Sequence, residues 1–323
     1  MQAIHSLKLL PKKIYRIGLI SVISAFLTSG AVYVVALLFQ VFVVLLGFAE
    51  KDQIIPLLQP ISESVVLFFS FFTLAIILQG LGQFLQSYIN IAFAETFNFE
   101  IRKVFLEALF RPNSSWNHDL GTTSNYMAEV IPKSSAYITS IARFVTLLIQ
   151  VILLGLFCLI NMPKEFLISI AIFSTLTPLM LYLNRKSGFY GASILSESKS
   201  LNIQLMRSIK NFLFIKILGI EQREKEKTVQ CAKSYYEKYM KSSIYYSIAS
   251  TVPVTFATLV VVALFYIFRM QGTSTPTLLT LFYLLYRFAT TLSQTVSITN
   301  GLSMFRPNYD EILKVLEEEK EAK

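Results

Sequence analysis

Six stretches of the chain are apolar over roughly the 20 residues that a helix needs to cross a bilayer. They run Ile17–Phe48, Ile61 to about Ala94, Tyr137–Ile160, Phe166–Leu183, Tyr245–Phe268 and Thr277 to about Phe305. The polar segments between them alternate in length. Glu50–Pro60, Asn161–Glu165 and Arg269–Pro276 are short, whereas Glu95–Ala136 and Asn184–Ile244 are long. Long connections therefore fall on one side of the membrane and short ones on the other. The long segments still carry a helical pattern. Ala94–Phe110 has neither Gly nor Pro, and Pro112 stops it by disfavouring helix in the residue before it. This predicts one unbroken helix from about Ile61 to Phe110, a third helix starting near Tyr126, a fourth continuing through Ser187–Arg207 and a fifth starting near Arg223. Each long segment is then a helical hairpin, with its tip at Arg111–Ser124 or Leu205–Ile220.

Composition agrees with this reading. Of the 323 residues 54% are hydrophobic and 15% charged, against roughly 25% charged in soluble domains, and mean hydropathy is +0.56. The expected class is an all-α integral membrane protein. Cys158 and Cys231 lie in different segments and give no disulfide framework. The net charge of +9 would suit nucleic acid, but its distribution points to the membrane instead. Of 29 Lys and Arg, only Lys51, Lys164 and Arg269 lie in the short connections and Arg287 within the sixth span; the rest lie in or beside the termini and long segments. By the positive-inside rule both termini and both hairpins are cytoplasmic. Lys8, Lys12, Lys13 and Arg16 precede an apolar run longer than the about 7–15 residues of a cleaved leader, so a first membrane helix is expected there.

Polar residues inside the spans carry the candidate pathway. Gln79, Gln83, Gln86 and Asn90 recur at steps of three and four, one face of the second helix, with Ser87 beside them. Arg287 stands mid-span, followed by Thr290, Thr291, Ser293, Gln294, Ser297 and Asn300. A charge there is costly and marks a functional position by default. Either it faces a polar cavity or a paired carboxylate, in a positive lining that would suit an anionic head group or a phosphate, or it bonds to carbonyls or polar groups between packed helices. Arg143, near the inner end of the third span, is read as snorkelling to the interface. Pro253 is read as a kink and Pro276 as a helix start. His5 and His118 are far apart, with no metal-ligand spacing, and no catalytic constellation is present.

The second tip, Asn211–Lys227, begins apolar and ends charged, and its apolar residues have no place in water without a partner. Phe214-Ile215-Lys216-Ile217-Leu218-Gly219-Ile220-Glu221 resembles the I-K-x-x-x-x-E motif at the tip of the second cytoplasmic hairpin of ABC exporter transmembrane domains. Tyr309–Glu317 resembles the segment that leads from the sixth helix to the nucleotide-binding domain in that family. The first tip departs from the pattern, with Trp116 and Gly121 closer than usual and Glu129 one residue short of the acidic position. The resemblance implies coupling helices at both tips, docked by apolar anchors into a groove on a partner. Their contacts would be Trp116, Gly121, Phe212, Phe214, Ile215, Lys216, Leu218 and Glu221, and the pathway residues Arg287, Gln294, Gln83 and Asn90.

The expected division is a segment 1–13, a transmembrane domain 14–305 and a linker-like segment 306–323. No G-x-x-x-x-G-K-[ST] loop is present, so the chain is expected to bind no cofactor itself. ATP and magnesium would be held by a partner nucleotide-binding domain. A second transmembrane domain, as a homodimer, and the lipid bilayer complete the implied partners, with no nucleic acid. A bacterial inner membrane is the expected location. Asn211-Phe212 and Tyr286-Arg287 are similar to the lipid-linked oligosaccharide flippase branch, with peptide or drug export as alternatives. The other class of reading is a membrane scaffold or regulator that kept the fold without an ATPase.

Overall fold

The computed structural model describes residues 12–47, 58–110, 120–161, 163–270 and 275–321, and every regular element among them is helical. In chain order they are α1 (Lys12–Leu45), the short α2 (Gln59–Ser62), α3 (Val65–Leu109), α4 (Leu120–Asn125), a π turn (Tyr126–Val130) and α5 (Ile131–Asn161). Then come α6 (Pro163–Ser174), α7 (Thr177–Lys210), α8 (Phe212–Ile217), α9 (Glu221–Met270) and α10 (Thr275–Glu321).

Among the described residues, four helices are long and apolar enough to span a membrane: Ile20–Leu45, Val65–Glu107, Gly121–Ile160 and Glu221–Met270. Helices α6 and α7, bent by 43° at their junction, meet the same length and composition test only as a pair, the pattern of a broken span or of a re-entrant loop. At the break the amides of Thr175 and Leu176 bond to the carbonyls of Ile172 and Phe173, a tightened three-residue turn. Pro178 follows in the first turn of α7 and has no amide to continue the ladder. The sixth expected span lies in α10, a continuous helix of 47 residues. Its composition keeps it apart from the other four, because Arg287, Thr290, Thr291 and Gln294 interrupt the apolar run.

The expected helix boundaries need three adjustments. The helix expected from Ile61 is broken before α3, since α2 ends at Ser62. The π turn lengthens the third helix backward to Leu120. Helix α9 passes through Pro253 and α10 through Pro307 as single elements. At about 1.5 Å per residue the 45 residues of α3 and the 50 of α9 reach roughly 68 and 75 Å, about twice a 30 Å hydrocarbon core.

Helix α10 sits at the centre. Its Leu278, Leu281, Leu284, Leu285, Phe288 and Ala289 are buried with Val32 and Ala36 of α1, Leu154 and Cys158 of α5, Phe166 and Phe173 of α6, and Val261 and Leu264 of α9. A second cluster closes the far end of the bundle. There Phe93, Phe97, Ile101 and Phe105 of α3 meet Val130, Ile131 and Ile138, together with Tyr309 and Ile312 of α10. Tyr137 stacks on Tyr309 with ring centroids 4.8 Å apart, and the Tyr126 hydroxyl donates to the Glu311 carboxylate at 2.8 Å.

Helices α7 and α10 approach closely enough that glycine is required. A Cβ on Gly191 would stand 2.4 Å from the Met304 carbonyl oxygen. Gly191→Leu should therefore destabilise the chain by about 1–3 kcal/mol, the usual range for overpacking, and lower its melting temperature in detergent. Gly80, around which a Cβ would meet open space, serves as the control, and Gly80→Ala should leave the melting temperature unchanged or higher.

Candidate functional site

A polar cavity of about 590 Å³ opens between α1, α3, α5 and α10. Helix α3 contributes Gln83, Gln86, Ser87 and Asn90 from the stripe read in the sequence; Gln79 is not part of the wall. Helix α10 contributes Arg287, Thr290, Thr291 and Gln294. The expected pathway residues Arg287, Gln294, Gln83 and Asn90 thus meet in one space. The polar set on α10 divides, however. Ser293 is buried and donates to the Pro253 carbonyl of α9 at 2.9 Å, and Asn300 is fully buried, so both belong to helix packing.

Two walls were not expected. Thr28 and Ser29 enter from α1, and Thr139, Arg143 and Gln150 from α5. Arg143, exposed on α5, also lines this cavity. The signal was present, since Thr139, Arg143, Leu147, Gln150 and Leu154 follow one another at steps of three and four, a single helical face. The Gln150 amide donates to the Gln86 side-chain oxygen at 3.2 Å, bridging α5 to α3 across the wall. The Arg287 guanidinium lies over the Tyr283 ring, 5.6 Å from its centroid. That face of the ring supports the cation and leaves its edge donors for the cavity. Among the described residues that line it, none is acidic.

The second tip is α8, flanked by Asn211 and Gly219. Gly219 has φ +64°, the left-handed conformation that ends many helices. The Ile220 amide bonds to the Ile215 carbonyl at 3.2 Å and the Gly219 amide to the Lys216 carbonyl at 3.3 Å, a Schellman motif. The helix is so short that it buries none of its residues. Phe212, Leu213, Phe214, Ile217 and Leu218 are 55 to 78% exposed. Leu213 and Ile217 thus join the expected anchors, while Ile215 turns half inward. Lys216 lies over the Phe212 ring at 5.3 Å, and Glu221 stands exposed in the first turn of α9.

Nearby, Glu224 accepts from Lys227 at 3.0 Å and from Gln204 of α7 at 2.9 Å. The Lys227 hydrogen bond holds its carboxyl below the ordinary carboxylate range. The contribution of this link is present above the ordinary carboxylate pKa and is lost as pH falls through the lowered one. Amide exchange in 204–228 should accordingly speed up on acidification beyond the intrinsic pH effect, and Glu224→Gln should remove that excess.

At the first tip Trp116 lies outside the described residues. Gly121 is buried against α7, where a Cβ would stand 2.4 Å from Ile203 Cα, so it serves a helix contact within this chain rather than an open docking face. Four residues on, the side-chain oxygen of the buried Asn125 accepts from Ser198 at 2.8 Å and Asn202 at 2.9 Å, both on α7. The two hairpins are thereby fastened to each other. Asn125→Ala leaves both α7 donors without this acceptor and should cost about 1–3 kcal/mol, read as lost exchange protection across 120–130 with the membrane-spanning segments unchanged.

In comparison with protein families, residues 17–296 fit the family described as ABC transporter transmembrane region. No curated protein sequence matches the chain.

Proposed function

The chain belongs to the family of ABC transporter transmembrane regions, and from that premise we propose that it is the membrane subunit of an ATP-driven exporter or flippase. The observation that carries this reading is the pairing of a polar cavity among the helices with a helix of exposed apolar residues at the end of the α7–α9 hairpin. The cavity is the translocation pathway. The α8 helix is the coupling element, seated in a groove on a nucleotide-binding domain that holds ATP and magnesium. Six spans, with α10 as the sixth, place both hairpins and both termini in the cytoplasm under the positive-inside rule.

In the assembled transporter two copies of this chain pair with two nucleotide-binding domains. Closure of those domains on ATP moves α8, and the long helices α7 and α9 carry the displacement to the bundle as rigid bodies. Binding and hydrolysis of nucleotide belong to the partner. A scaffold without transport has no need of a cavity lined by two arginines and a row of amides, so transport is the preferred reading.

Phe214 and Ile217 are 66% and 78% exposed, so replacing either by Asp leaves the fold intact and acts on docking alone. A buried interface anchor costs about 2 kcal/mol or more when lost, roughly thirtyfold in affinity. Phe214→Asp and Ile217→Asp should each abolish co-purification with the ATPase subunit and transport-stimulated ATP hydrolysis in liposomes, with unchanged melting of the chain. Full transport in both variants would overturn the coupling role of α8.

A further inference from the structure

We propose that the outer face of α7, where the helix leaves the bilayer, is a binding surface for anionic phospholipid, with Arg185 and Lys186 meeting the phosphates. From Pro163 to Tyr182 is about 20 residues, or roughly 30 Å of helix, close to the thickness of the hydrocarbon core. With α6 and α7 crossing as the fourth span, Arg185 and Lys186 come in the next turn, at the headgroup layer. Tyr182 lies one turn before this pair and Phe189 one turn after it, at steps of three and four, so the four side chains share one face. Tyr182 and Phe189 are 52% and 65% exposed, and Arg185 is exposed between them. The buried residues of α7, among them Met180, Leu183 and Ile194, lie on the opposite face. Among the described residues none of α7 lines the cavity, so this surface is separate from the pathway.

Aromatic rings beside cations are the arrangement that seats a helix in the interfacial layer. The Lys186 ammonium leans back toward the membrane end of α7, 5.8 Å over the Tyr182 ring. Its charge is thereby held level with the phosphates instead of reaching into water, in the direction that helical side chains favour. Phe189 stands edge-on to Tyr190 at 5.5 Å, and Tyr190 stacks on Tyr245 of α9 at 5.5 Å, so the neighbouring helix fixes that ring. Among the described residues neither Arg185 nor Lys186 is in an ion pair, and the stretch 166–196 contains no Asp or Glu. The two positive charges therefore find their counter-charge outside the chain. A zwitterionic headgroup brings its own cation and leaves them uncompensated, whereas an anionic one balances them. Each such cation is worth about fivefold in affinity for an anionic leaflet.

The test uses the full chain in nanodiscs, with neither ATPase nor nucleotide, so its readout is independent of the transport reading. Trp116, the one tryptophan of the chain, is replaced by Phe, and Tyr182→Trp places a single fluorophore on the surface. Brominated phosphatidylglycerol and brominated phosphatidylcholine are compared as quenchers, each diluted in unbrominated phosphatidylcholine. Phosphatidylglycerol should bind beside residue 182 at least about fivefold more tightly than phosphatidylcholine, and the preference should shrink as salt rises. Arg185→Gln and Lys186→Gln together should bring the ratio to about one, with an unchanged melting temperature in detergent, while Arg185→Lys should keep most of it. Leu259→Trp, at a 65% exposed position of α9 with no cation within one turn, should show no preference. Equal quenching by the two lipids at residue 182, or an undiminished preference in the double Gln variant, would overturn the proposal. Quenching by neither lipid would mean that protein covers the face or that it lies away from the acyl layer, and would overturn it too.

Discussion

The packing of α10 at the centre of the bundle is the interaction on which the other helices depend. In a bilayer the apolar surroundings give no hydrophobic drive between helices, so association rests on close packing and on hydrogen bonds across helix faces. Helix α10 takes part in such a bond with each of four neighbours. Thr280 donates to Ala36 of α1, Ser293 to Pro253 of α9, Ser134 of α5 to Asn308, and Asn184 of α7 to Thr299. The apolar residues between these points fill the largest buried cluster. One helix thus fixes the positions of α1, α5, α7 and α9, and whatever lines its remaining face is held by a rigid frame.

That remaining face carries Arg287, Thr290, Thr291 and Gln294, and the cavity follows from it. A mid-span guanidinium costs free energy in hydrocarbon, and the structure meets the cost by gathering polar side chains from three other helices around it. The cavity therefore needs no folded partner to exist. The α8 tip is the opposite case. Its five exposed apolar side chains are stable in water only as far as the Schellman turn at Gly219 and the flanking helices hold them there. Helices α7 and α9, which flank α8, hydrogen-bond to α10, whose polar face lines the cavity.

Much of this was legible in the sequence because two periodicities carried it. Runs of apolar residues marked the spans, and the absence of Gly and Pro from 94–110 marked the extension of α3 beyond them. The Gln83–Gln86–Asn90 stripe and Arg287 marked the cavity wall because a polar residue inside a span has few alternatives. Three features escaped. Arg143 sits near a span end, where snorkelling is the ordinary fate of a cation, and only the packing of the neighbouring helices places it in the cavity wall. Gly121 reads as part of a docking motif, yet its small size serves a close approach to Ile203 that no local pattern encodes. The bend between α6 and α7 depends on Pro178, hidden inside an otherwise apolar run. In each case the missing information was tertiary.

The π turn at Tyr126–Val130 has a consequence for how the tip is aimed. A π turn accommodates one extra residue relative to α-helix, and one residue is about 100° of rotation around the axis. On its far side Asn125 looks toward Ser198 and Asn202 of α7; on its near side Ser134 and Ser135 look toward α10 and α3. The extra residue sets the angular offset between those two sets of contacts. The pairing of the hairpins is therefore encoded as a phase, and a chain one residue shorter here would keep its helix while pointing Asn125 away from α7.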